Sequence, residues 1–280
     1  MNLLGIEKQA AVVRALVDGA SIRATCRMTG VAKNTVVRLL VDIGTACEVF
    51  HDHNVRGLAT KRVQVDEVWS FCYSKAKNVP ASKMGERGVG DVWTWTAIDA
   101  DSKLMVSWFV GGRDAGAARI FIGDVAARVT ERIQLTSDGL PAYQLAVPEF
   151  FGSDVDFAVL QKMFGPEGSD KSPERKYSPG KINGTKRTAI IGESDRAHVS
   201  TSFVERSNLT MRMGMRRFTR LTNEFSKKIR NHECAVALFF AHYNSCRRHQ
   251  TLKTTPAVAA GVADHEWSVE ELIGVLKETN

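Results

Sequence analysis

Three acidic residues have the types and settings that metal-dependent chemistry on phosphate esters requires. Asp66 lies in VQVDEVW, among β-branched and aromatic residues, where a carboxylate is costly to bury unless something pairs with it. Asp138 closes LTSDG at the end of a short apolar run, and strand C-terminal edges are where open α/β sheets hold ligands. Glu205 stands in SFVERSN, near the start of a helical block. The gaps are 72 and 67 residues, so only a tertiary fold brings the three together. Converged carboxylates cannot all ionise side by side without a cation. Hard oxygen donors suit Mg²⁺ or Mn²⁺. Two such ions about 4 Å apart activate an attacking hydroxyl and stabilise a leaving 3′-oxygen in phosphodiester transfer. Each acid also has a plainer reading as a turn cap or surface residue, which is weakest for Asp66. Asp91 and Asp99 compete for a place, although Asp99 reads better as a hairpin-turn acid. Glu67 points to the face opposite Asp66, because strand side chains alternate.

The elements that must position these acids are legible as changes of period. Val12, Val13, Leu16 and Val17 form a helical stripe broken at Gly19, and Ser21 is an N-cap for a second short helix ending at Gly30. A third helix opens at Lys33. Two helices around a glycine turn have helix-turn-helix geometry, whose second helix presents its early residues to base edges. Those residues are Lys33, Asn34, Thr35 and Arg38. A plain helical cap is the equally weighted alternative. Residues 46–60 read as a linker or a short continuation of helix. From Arg62 the pattern becomes that of strands: RVQVDEVWSFCY, then two strands joined at Asp99–Ser102. A helix over Asp114–Arg132, the strand IQLTSDG, a helix over Tyr143–Phe150 and the strand DFAVLQKMF follow. This order predicts an α/β fold, a mixed five-stranded sheet with flanking helices. A basic insertion at 165–198 reads as loop. A helical block spans Ser202–Cys246, and a tail with a short helix occupies 253–280.

Composition narrows the functional classes. The chain has 280 residues, 44% hydrophobic and 25% charged, which excludes global disorder. The net charge of +7 mildly favours a polyanionic partner. Five unevenly spaced cysteines fit neither a disulfide framework nor a zinc module, and a site built from Cys26, Cys47, His51 and His53 matches no ordinary spacing. No apolar run is long enough to span a bilayer, so the expectation is a cytoplasmic protein.

Longer blocks carry a resemblance. VQVDEVWSFCYSK, GDVWTWTAIDADSKLMVSWFVGGRD, LTSDGLPAY, TSFVERSNLTMRMGMRRFTRLTNEFSKK and AVALFFAHYNSCRRHQTLKTTPAVAAG occur in the order found in transposases of the IS1-like insertion-sequence family. The chain resembles that family over most of residues 60–262. The resemblance implies a ribonuclease H-like catalytic domain over 61–252 with a DDE triad at Asp66, Asp138 and Glu205, and it places the family's Asn and His at Asn244 and His249. It implies Mg²⁺ or Mn²⁺ as two ions, double-stranded DNA (terminal inverted repeats and target) as partner, and a dimer or higher assembly. The zinc ribbon of the family's best-known form is missing, leaving residues 1–45 as a helix-turn-helix-like DNA-binding region. A metal-dependent nuclease that does not join strands, and a silent domesticated DNA-binding regulator, are the alternatives.

Basic residues cluster where DNA would be held. On a helix, Glu205, Asn208, Leu209 and Arg212 share a face. Arg206, Arg212, Arg216 and Arg217 are candidates for phosphate contacts, which position DNA without reading sequence. Lys176, Lys181, Lys186 and Arg187 in the insertion form a second group. His198, seven residues before Glu205, is a further candidate for the site.

Overall fold

The computed structural model describes residues 4–164, 182–219 and 222–278. Three helices open the chain: α1 (Ile6–Val17), α2 (Ile22–Thr29) and α3 (Lys33–Asn54). The Ser21 hydroxyl accepts the Ala24 N–H at 3.1 Å to start α2, and Gly30 ends it in the left-handed region. Helix α3 runs on to Asn54, through much of the stretch expected as linker, because Ile43, Cys47 and His51 extend its buried face.

The sheet follows: β1 (Arg62–Cys72), β2 (Gly90–Asp99), β3 (Met105–Gly111), helix α4 (Ala115–Ala126), β4 (Ile133–Ser137), helix α5 (Pro141–Phe151), β5 (Val155–Phe164) and β6 (Ile182–Ile191). Its order is β3-β2-β1-β4-β5-β6. Strands β1, β2 and β3 are antiparallel to their neighbours in turn, whereas β4 runs parallel to both β1 and β5. Among the described residues the sheet therefore has six strands and not five. The additional strand, β6, lies antiparallel to β5 within the insertion expected to be loop. It is an edge strand exposed along its length, so INGTKRTAII shows none of the apolar alternation by which a half-buried strand is recognised. Its Lys186 and Arg187 are the kind of charges that discourage edge-to-edge pairing. Lys176 and Lys181 lie outside the described residues.

Two layers of helix enclose the sheet. On one face, α4 and α5 pack over Val63, Val65, Trp95, Leu135 and Phe157. On the other, Val68, Ile98 and Met105 meet α1, α3 and the two helices that complete the core, α6 (Ser202–Gly214) and α7 (Ile229–Ser245). The helical block expected over Ser202–Cys246 is thus two helices. After Gly214, Met215 is extended (φ −133°, ψ 102°) and the chain makes one further turn at Arg216–Phe218. Helix α3 crosses α7 closely enough that a methyl group on Gly44 would lie 2.5 Å from the Cys234 Cβ. The short α8 (Pro256–Ala259) and α9 (Val269–Glu278) close the chain, with Leu272 and Ile273 in the core. Among the described residues, no helix is long and apolar enough to cross a membrane.

Candidate metal centre

Strand register sets the site. Gln64 on β1 stands beside Thr136 on β4, so two residues further on Asp66 is level with Asp138, just past the end of β4. Asp66 and Gln64 face α6. The Gln64 side-chain oxygen accepts the N–H groups of Phe203 and Val204 at 2.8 and 3.1 Å, satisfying donors in the first turn of α6. One turn along, the Asn208 amide donates to Asp66 Oδ2 at 2.8 Å and accepts from the Thr96 hydroxyl at 3.0 Å. Thr96 is paired with Asp66 across β1 and β2, so three elements fix this carboxylate.

Glu67 projects to the α5 face, as alternation requires, yet it reaches the same centre. Asp66, Glu67 and Asp138 each offer an oxygen, all within 4.8 Å of one another. Asp138 follows the last residue of β4, Ser137, at the strand end where the three carboxylates meet. Glu67 is buried and held by the Arg113 guanidinium (Nε to Oε1, 2.7 Å) and the Tyr143 hydroxyl (to Oε2, 3.1 Å). Asp138 Oδ1 accepts the Leu140 N–H at 2.9 Å, closing the turn into α5.

The electrostatics follow from this crowding. Burial, then the charges of Glu67 and Asp138, pushes the Asp66 carboxyl up to about 7. Burial and Asp138 also raise Glu67, against the opposing pull of Arg113. Three carboxyls at this spacing hold excess negative charge that Arg113 offsets only on one side. Their hard oxygens fit a divalent cation such as Mg²⁺ or Mn²⁺.

The other sequence candidates divide. Glu205 is on α6 one turn before Asn208, but its carboxylate pairs with the Lys162 ammonium of β5 and accepts the Thr201 hydroxyl at 2.6 Å, outside the group of three. Asn244 is a correction. It is buried in α7, where its amide accepts the Met105 N–H at 2.9 Å and donates to the Met105 carbonyl at 3.0 Å, fastening α7 to β3. Its hydrogen-bonding groups are committed there and not to the carboxylates. His249 lies beside Lys103, whose ammonium is 3.4 Å from the centre of the Phe203 ring in the first turn of α6. Burial, Lys103 and Arg247 lower its pKa, favouring the neutral ring. His198 pairs with Asp195, and Asp195 bonds Gln134 at the opposite end of β4 from Asp138. Asp91 accepts the Ala76 N–H and Asp99 closes the β2–β3 turn, so neither joins the centre.

Of the proposed phosphate contacts, Lys33, Asn34, Thr35 and Arg38 are exposed on the first turns of α3, and Arg206, Arg212 and Arg216 are exposed on or just after α6. Arg217 differs. It turns inward to donate to the Ser226 hydroxyl at 2.8 Å, and burial lowers its pKa. Lys162 on β5, Arg113 after β3 and Tyr143 on α5 were invisible as site residues, since each meets the acids only through the tertiary fold.

No family model matches the chain, and no curated protein matches it. Among solved structures it is similar to the piggyBac transposase in a synaptic complex with hairpin DNA. The identity is 10%, the TM-score is 0.37, and the alignment covers 98% of this chain and 70% of that one.

Proposed function

We propose that the protein is a DNA transposase of the DDE type, with a ribonuclease H-like catalytic region that cleaves and joins DNA by metal-dependent phosphodiester transfer. The observation that carries the reading is the placement of Asp66 and Asp138 level with each other on adjacent parallel strands, with α6 and Glu205 alongside. The strand sequence also supports it: three antiparallel strands, then alternating helices and strands, are what the resemblance implies. The IS1-like assignment itself rests on the sequence blocks alone.

Asp66, Asp138 and Glu67 would hold the divalent ions, with Glu205 completing the set once released from Lys162. Such ions activate a hydroxyl for attack on phosphorus and stabilise the departing 3′-oxygen. The chain's own residues do the positioning. Asn208 and Thr96 aim Asp66, Arg113 and Tyr143 fix Glu67, and the Leu140 N–H orients Asp138. The α2–turn–α3 unit acts as a helix-turn-helix, with Lys33, Asn34, Thr35 and Arg38 towards the element's terminal repeats. Because two DNA ends must meet, the working form is a dimer or larger.

The test is strand transfer by the purified chain on labelled duplexes carrying both ends of its element, with Mg²⁺ or Mn²⁺. The expected result is joined product from the wild type and none from Asp66→Asn or Asp138→Asn. Cleavage without joining would replace the reading with that of a nuclease. Specific binding with neither product would replace it with a silent regulator.

A further inference from the structure

A groove of about 900 Å³ lies between the N-terminal helices and the segment that joins α6 to α7. One wall carries Arg23 and Arg27 of α2 and Lys33 at the start of α3. The other carries Arg216, Lys227 and Lys228. The floor is sealed by Leu40, Leu238 and Phe239, which are 2%, 2% and 4% exposed. Glu224 is the acid along it, and its carboxylate already faces Arg216 at 3.7 Å. Arg23, Arg27, Lys33, Lys227 and Lys228 are exposed and pair with no acid among the described residues. Cations held close together without counter-charges repel one another, a cost that a polyanion removes.

Both walls are fixed. Ser226 anchors the second to the end of β1, where its carbonyl accepts the Tyr73 N–H at 2.8 Å, and its hydroxyl joins Arg217 and His232. The first is held against α6 by two glycines. Gly19, at φ +86° between α1 and α2, approaches the Gly214 carbonyl so closely that a Cβ would lie 2.9 Å from that oxygen. Helix α6 thus connects the two regions: Asn208 touches Asp66 near its middle, and its last residue, Gly214, borders the groove.

We infer that this groove holds the phosphate backbone of the DNA duplex, gripped by Arg23, Arg27 and Lys33 on one wall and Arg216, Lys227 and Lys228 on the other, while the scissile bond lies at Asp66 and Asp138. The inference rests on the DNA-transfer reading and adds the surface, with Arg23, Arg27, Lys227 and Lys228, that holds the strand beside the carboxylates. The grip is electrostatic and independent of sequence.

The experiment measures binding of the whole chain to a fluorescent duplex of arbitrary sequence between 50 and 200 mM salt. It compares the wild type with Arg27→Ala/Lys227→Ala/Lys228→Ala and with a charge-matched control, Lys8→Ala/Lys61→Ala/Arg196→Ala. Each phosphate contact contributes about 0.9 to the slope of log affinity against log salt. The groove variant is expected to lose about 2 to 3 from that slope, with an unchanged melting temperature, while the control keeps the wild-type slope. Equal losses in both variants would reduce the effect to net charge and overturn the proposal. An unchanged slope in the groove variant would overturn the groove and leave DNA transfer standing. A wild type that binds no duplex would overturn the parent reading itself.

Discussion

At the scale of single residues, Asp66 depends on what donates to it. Asn208 supplies its side-chain hydrogen bond and is in turn held by Thr96. Asn208→Leu keeps the volume and removes both partners, leaving the carboxylate nearer its neutral form and free to rotate. Loss of an orienting partner of a metal ligand typically costs 10- to 100-fold in metal affinity. A Mn²⁺ titration of the variant should therefore show weakening in that range, with the fold intact by circular dichroism; unchanged affinity would make Asn208 a packing residue. Asp66 was legible in the sequence because an acid inside an apolar strand is conspicuous. Glu67 was not, because alternation sends it to the opposite face, where Arg113 and Tyr143 hold it within reach of Asp66 and Asp138. Asn244 entered through the resemblance alone, and the Met105 backbone that occupies its amide is brought to it only by the packing of α7 on β3.

At the scale of elements, the helices that bear on the site are held by close crossings. Gly44 in α3 meets the Cys234 Cβ and backbone in α7, where an added methyl would lie 2.5 to 2.6 Å from three atoms. Backbone cannot yield as a flexible side chain can, so Gly44→Ala should destabilise the protein by about 1–3 kcal/mol, the usual range for overpacking. Chemical denaturation measures this directly, and a loss below about 0.5 kcal/mol would mean that α3 shifts freely on α7. The central strands could be read from their β-branched and aromatic runs between turn residues, since helices bury both of their faces. The edge strand β6 could not, because an exposed edge demands no apolar run. The alternation of Met211, Met213 and Met215 in the sequence suits either core packing or a break at Gly214. In the fold, Met211 and Met215 are buried and Met213 is 77% exposed.

At the scale of the whole molecule, a single sheet carries acids near its centre and a basic groove to one side, linked by α6. Opposite charges are thereby separated, and under the proposed reading the cations would grip phosphates while the carboxylates stand where one phosphate reacts. The net charge of +7 hinted at a polyanion but could not locate it, since the cations come from α2, α3 and residues 216–228, far apart in the chain. The central claim is that the carboxylates form a divalent-metal centre. The most direct measurement is Mn²⁺ binding by electron paramagnetic resonance, on the whole chain with duplex DNA present. The account predicts saturable binding that Asp66→Asn and Asp138→Asn each weaken at least tenfold. Absence of saturable binding, or binding that both variants leave unchanged, would contradict it.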